Sequence, residues 1–319
     1  MSRRLVVPLL MVMGLCSSQA AFARCPSAAD LFSSPALVTA STSFKDYAVR
    51  LYSNKACQKD AARIVAGVEI RKADKRVYKR VGRGFALGYY LEQDQPPDSV
   101  TMSVGTDITG EGQPELLVSE WSDRNAHCCL TFHLFRLGER FKEIQSIPLY
   151  DADESAFVRR DGVKSLVLNS YDYSAFAYFP FDFASSPAGH VLLSFQDGRF
   201  KLDLEHMKAN APTQEELDRC AARFKASTAW GDKIHPLPMG LWYYATDLIY
   251  SGNAEAAWGL LDKGWGGSKK SELKYVGEYR RRFAKSAYYP QLLALQASAA
   301  APANQKIDWD VQCRHYLGH

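Results

Sequence analysis

Residues 107–118 read Asp-Ile-Thr-Gly-Glu-Gly-Gln-Pro-Glu-Leu-Leu-Val, and a degraded copy of the pattern follows fifty residues later. Oxygen-bearing side chains stand at alternate positions of a glycine-rich turn that runs straight into an apolar strand. A chain that repeats such a unit is expected to stack similar supersecondary pieces, each burying a face its neighbour supplies.

The alignment sets Asp107–Trp121 on Phe157–Tyr171. Glu111-Gly112 falls on Asp161-Gly162, and Leu116-Leu117-Val118 on Leu166-Val167-Leu168. Further on, Glu139-Arg140-Phe141-Lys142 matches Gly198-Arg199-Phe200-Lys201, so the later unit carries an insertion. Arg83-Gly84-Phe85 resembles a third, faint copy of the turn. Alternation at Val100, Met102 and Val104 and at Leu130, Phe132 and Leu134 predicts half-buried strands. Ala73-Asp74-Lys75, Leu137–Arg140 and Gln196–Arg199 carry hairpin signals.

After Pro212 the pattern becomes helical. Thr213-Gln-Glu-Glu216 is a capping box that opens a helix to about Ala226. Further helices are expected over 241–250, from Asn253 to about Leu261, and from Ser271 onward. The fold class expected is α+β. An antiparallel β-repeat domain, propeller-like or sandwich-like, spans 24–208, and a small helical domain spans 209–319.

Residues 1–23 have the form of an export signal. Arg3 and Arg4 precede an apolar run too short to cross a bilayer, and Ala21-Phe-Ala23 offers a cleavage site. The mature chain shows no further apolar run of spanning length, so a periplasmic or secreted location is expected. Loss of Arg3 and Arg4 lowers the formal charge from +4 to about +2, which excludes bulk electrostatic binding to nucleic acid as a default. Cys25, Cys57, Cys128, Cys129, Cys220 and Cys313 remain. An even count in an exported chain points to disulfides, and grouping by domain suggests Cys25–Cys57, Cys220–Cys313 and a leftover adjacent pair.

Asp107-x-Thr109-Gly-Glu111-Gly-x-Pro-Glu115 before an apolar strand resembles the calcium loop of FG-GAP repeats, found in integrin-type β-propellers and many exported bacterial proteins. The resemblance covers about residues 60–205. It implies Ca2+ as cofactor, with side-chain oxygens from Asp107, Thr109, Glu111 and Glu115 and the backbone carbonyl of Gln113. The family favours Asp at the third and fifth loop positions, where this chain has Thr109 and Glu111. The second copy has Phe157, Arg159 and Ser165 at ligand positions and is expected to hold no metal. A plain polar turn before a strand would use the same Asp, Gly and Pro residues.

Three further features are candidate ligand or partner surfaces. Cys128-Cys129 can form a strained vicinal ring presented as a contact. Alternatively it can pair elsewhere, or join His127 and His133 as metal ligands. The insertion from Tyr171 to Phe183 places seven aromatics in thirteen residues, among them Tyr171, Tyr173, Phe176 and Tyr178. Such a run either stacks on a ligand or packs a sheet against a helical layer. Arg76, Lys79 and Arg80 belong to a basic hairpin suited to an anionic partner, or to guarding a sheet edge. No catalytic template is matched: there is no Gly-x-Ser-x-Gly, His-Glu-x-x-His or P-loop. The sequence therefore leans toward a non-catalytic exported protein that contacts a protein or envelope ligand. An inhibitor or immunity protein acting on a toxin or hydrolase, and an envelope- or glycan-directed enzyme with dispersed catalytic residues, are the alternatives.

Overall fold

The computed structural model describes residues 25–60, 63–89, 96–125, 128–152, 154–180, 182–183, 185–227, 230, 237–297 and 303–317. The side chains of 123–125 and 128 lie outside that description, as does the whole proposed export signal.

Among the described residues, twelve strands form three four-stranded antiparallel meanders in chain order. The first holds β1 (Val38–Phe44), β2 (Tyr47–Ser53), β3 (Ala66–Lys72) and β4 (Lys75–Gly82). The second holds β5 (Gly84–Leu87), β6 (Glu115–Asn125), β7 (Cys128–Leu137) and β8 (Phe141–Tyr150). The third holds β9 (Ala156–Val158), β10 (Val167–Asp172), β11 (Gly189–Gln196) and β12 (Arg199–Leu202). The sequence repeat maps onto this plan. Its two loops precede β6 and β10, the second strands of their sheets, and its two turns join third to fourth strands. Ala73-Asp74 joins β3 to β4 at the same place in the first sheet. Both residues have positive φ, as do Asp197 and Gly198 in the third sheet, which is what two-residue turns matching the strand twist require.

The sheets are layered by period-2 alternation. Leu116, Val118, Phe135 and Leu137 pack with Val49, Leu51, Val68 and Ile70 of the first sheet. Leu117, Leu130, Phe132 and Leu134 point the other way, into a larger core shared with the third sheet and the helices. Across the first seam the rings of Tyr78 and Phe135 lie 4.6 Å apart, and across the second Phe132 stacks near Phe157 at 6.1 Å. The third sheet is covered on both faces, which explains why its strands read as the apolar runs Leu166-Val167-Leu168 and Val191-Leu192-Leu193.

The helices are α1 (Leu204–Met207), α2 (Gln214–Lys225), α3 (Met239–Tyr250), α4 (Ala254–Lys263), α5 (Lys269–Phe283), α6 (Tyr289–Ala297) and α7 (Trp309–Leu317). The Thr213–Glu216 capping box opens α2 as the sequence predicts. The boundary near residue 208 separates strands from helices, but the large core runs through it without a break, from Leu134 and Leu168 to Trp242 and Leu261. Two disulfides fasten the ends: Cys25–Cys57 holds the N-terminal segment to the first sheet, and Cys220–Cys313 joins α2 to α7. Cys129 is disulfide-bonded as well. No helix among the described residues is long and apolar enough to cross a membrane.

Some sequence expectations are corrected. Val100–Val104 forms no strand; it is an irregular segment tied to the third sheet by Val100 N–H donating to the Phe157 carbonyl at 2.8 Å. Gly84 opens β5 rather than turning. The helix assigned to Ser271 starts at Lys269, because Ser268 is its cap and accepts from the Ser271 amide.

Candidate functional site

The repeated loops meet each other. Leu166 N–H donates to the Ile108 carbonyl at 2.9 Å. A Cβ on Gly110 would come within 2.5 Å of the Lys164 carbonyl, and its φ of +71° lies where glycine is favoured, so this contact needs a glycine. With the Asp197-Gly198 turn and α1, the loops enclose a cleft of about 480 Å3 lined by Glu111, Lys164, Ser194, Asp203, Glu205 and His206 among others.

Glu115, the first residue of β6, is fully buried. Its Oε2 accepts from the amides of Ile108 (2.9 Å) and Thr109 (2.8 Å), and its Oε1 from Thr109 Oγ1 (2.7 Å). Arg136 stands directly opposite in the β6–β7 ladder and donates Nη2 to Glu115 Oε1 at 3.0 Å. The same guanidinium pairs with Glu111. Asp107 Oδ2 accepts from the Gly112 amide at 2.9 Å, and Gln113 is exposed at the outer end of the loop. Calcium asks for six to eight free oxygens. Here the Glu115 carboxylate is filled by amides, a hydroxyl and a cation, and Glu111 shares that cation. As arranged, these side chains do not fit a divalent ion. Among the described residues no group of three or more His, Cys, Asp or Glu is placed to hold a metal. Sequence reasoning missed Arg136, whose only signal was its register opposite Glu115.

In the second copy, Phe157 is core, Arg159 is exposed, and the buried Ser165 hydroxyl accepts from the Phe195 amide at 3.2 Å.

The aromatic insertion divides in two. Phe176 is buried and stacks on Tyr279 of α5 at 4.5 Å, while Phe179 meets Trp242 edge-on. These rings belong to the sheet–helix core. Tyr178 is 58% exposed and Tyr173 half-buried, both beside Phe183. Tyr171 lines a separate cavity beneath α3. Asp172, also buried, ties the sheet to the helices: its Oδ2 accepts from Tyr250 OH at 2.6 Å and Ser286 Oγ at 2.5 Å.

The basic hairpin lies on β4, an edge strand. Arg76 sits 3.6 Å from Glu69, and Lys79 lies over the Phe32 ring at 4.3 Å. Arg80 donates to Glu120 Oε2 at 2.7 Å, and His133 Nε2 meets the same oxygen at 2.9 Å. Burial pushes the Glu120 carboxyl up, but hydrogen bonds from His133 and Arg80 outweigh it and hold the group below its usual range. His133 Nδ1 contacts Ser146 Oγ at 2.7 Å, and Ser146 donates to Glu143 at 2.8 Å. The Ser146 hydroxyl lies within hydrogen-bond distance of both His133 and Glu143. The set links β4 of the first sheet with β6, β7 and β8 of the second. These commitments also turn His133 away from any metal shared with Cys129; His127 and the Cys128 side chain lie outside the described residues.

Together these features define a β-repeat protein of stacked four-stranded meanders covered at one end by helices, with a cleft where its repeated loops converge. Comparison with protein-family models, curated proteins and solved structures returned no match.

Proposed function

We propose that this chain is an exported, non-catalytic binding protein. It works in the periplasm or outside the cell, and the cleft between its repeated loops is the contact site for a protein or envelope ligand. The observation that carries this reading is that acids of the cleft already have partners within the chain. Glu111 pairs with Arg136, Asp197 with Lys201, and Asp203 with His206. Each of these three acids already has a hydrogen-bonding partner within the chain, which suits recognition by hydrogen bonding and shape better than proton transfer. Two disulfides fit an oxidising compartment. In this reading the meanders are propeller-like blades left open, and the Asp107–Glu115 loop is an FG-GAP-like loop whose cation is a guanidinium instead of calcium.

The test uses residues 24–319 immobilised beside a Lys164→Glu/Glu205→Lys variant, both substitutions being at exposed positions of the cleft. A protein or glycan retained from envelope extract by the first and not the second supports the reading. Equal retention removes the cleft as contact site, and turnover of the retained material overturns the non-catalytic assignment. A single protein retained at near-equal stoichiometry selects the inhibitor or immunity version.

A further inference from the structure

A second cavity, distinct from the loop cleft, lies where the third sheet, α3 and α7 meet. Its volume is about 250 Å3, slightly below the roughly 300–1,000 Å3 of ordinary small-molecule sites. Tyr171 and His190 come from the sheet, Asp247 and Tyr250 from α3, and Gln312 and Tyr316 from α7.

Asp247 is the unusual group. Tyr316 OH donates to its Oδ2 at 2.7 Å and Gln312 Nε2 to the same oxygen at 2.8 Å. Its Oδ1 accepts no hydrogen bond from the described residues, and no Lys or Arg among them forms an ion pair with it. Asp247 is half-buried in the cavity wall, and a carboxylate with one oxygen unoccupied there and no Lys or Arg beside it is open to a cation entering the cavity. Burial raises the affinity of Asp247 for a proton, and the bonds from Tyr316 and Gln312, with the charge of His315, offset this only in part. His190 does not supply the missing charge: burial, helped by the charge of Arg160, lowers its pKa to about 4, so the ring is neutral at ordinary pH. The remaining walls include three tyrosines, side chains whose π-faces attract cations.

We propose that this cavity binds a small organic cation, a primary amine whose ammonium pairs with Oδ1 of Asp247 and whose carbon body lies against the tyrosines. A carboxylate with one oxygen fixed and one open supplies orientation as well as charge, and neutral His190 adds no repulsion.

The test is thermal denaturation and calorimetric titration of the mature chain with ethanolamine, putrescine, glucosamine and tyramine. Each is compared with its uncharged counterpart, in which a hydroxyl or hydrogen replaces the ammonium. At least one amine should raise the melting temperature while its counterpart does not, and Asp247→Asn should weaken that amine at least ten-fold. In case Asp247→Asn does not fold, the wild-type protein carrying ring-labelled tyrosine gives a second readout: resonances of Tyr171 and Tyr316 should move with the amine and stay still with the counterpart. Absence of any amine-selective stabilisation, or binding unchanged in a folded Asp247→Asn protein, overturns the proposal.

Discussion

Arg136 Nη2 lies 3.0 Å from Glu115 Oε1, so the carboxylate that the calcium-loop resemblance would assign to a metal ion is held by a side chain of the neighbouring strand. A guanidinium here does what a bound cation would do for the loop. It neutralises a buried acid and draws Glu111 toward Glu115.

Arg136→Ala should therefore destabilise the fold by about 3–5 kcal/mol, since it leaves the buried Glu115 charge without its cation. Calcium should leave the melting temperature of the metal-stripped wild-type protein unchanged. If calcium instead stabilises the wild type, the loop binds the ion with Arg136 in place. If it rescues Arg136→Ala alone, the guanidinium is a direct stand-in for the metal.

The two halves of the aromatic insertion should respond differently to truncation. Phe176→Ala removes a ring from the sheet–helix core and should cost about 3–5 kcal/mol. Tyr178→Ala lies at the surface and should stay within about 0.5 kcal/mol of wild type. Urea unfolding of the two variants measures both, and equal costs would contradict the division.

Stability should fall on the acid side through His190. Its folded pKa of about 4 lies below the ordinary 6.5, so between these values the unfolded chain binds the extra proton. Stabilisation is then complete above about pH 6.5 and is lost as pH drops toward 4. The upper limit is roughly 3 kcal/mol, reduced because the ring keeps some solvent contact through the cavity. His190→Asn should flatten that part of the stability–pH curve measured by urea midpoints.

Gly240 marks the closest approach of α3 and α7, where a Cβ would lie 1.9 Å from the Tyr316 carbonyl oxygen. Gly240→Ala should cost about 1–3 kcal/mol or more, because the contact is with backbone that cannot rotate away. Gly259→Ala, on the neighbouring α4 with open space at its Cβ, should be neutral or slightly stabilising. Melting temperatures of the pair decide the matter.

Much of the architecture was legible because local signals agreed with it. The repeated loop-strand pattern marked the second strands, the Asp74 and Asp197-Gly198 turns marked the hairpins, and the Thr213 capping box marked α2. The failures have physical causes. Val100, Met102 and Val104 alternate like a strand, yet the segment is held by single contacts to the third sheet. The aromatic run resembled a binding surface because sequence does not show that Tyr279 and Trp242, more than sixty residues away, come to cover it. Arg136, Asp247 and His133 acquire their roles from partners across a ladder or a helix seam, and no local pattern announces such pairs.

The Cys220–Cys313 bond has a consequence for the Asp247 cavity. By joining α2 to α7 it restrains the helix that brings Gln312 and Tyr316 to Asp247, and closing a loop of nearly a hundred residues is worth roughly 4–5 kcal/mol in the chain-entropy model. With these two thiols reduced, the seams between the meanders, which involve neither cysteine, should persist while this last helix is held less firmly. Formation of this bond then fixes the α7 wall of the cavity that holds Asp247.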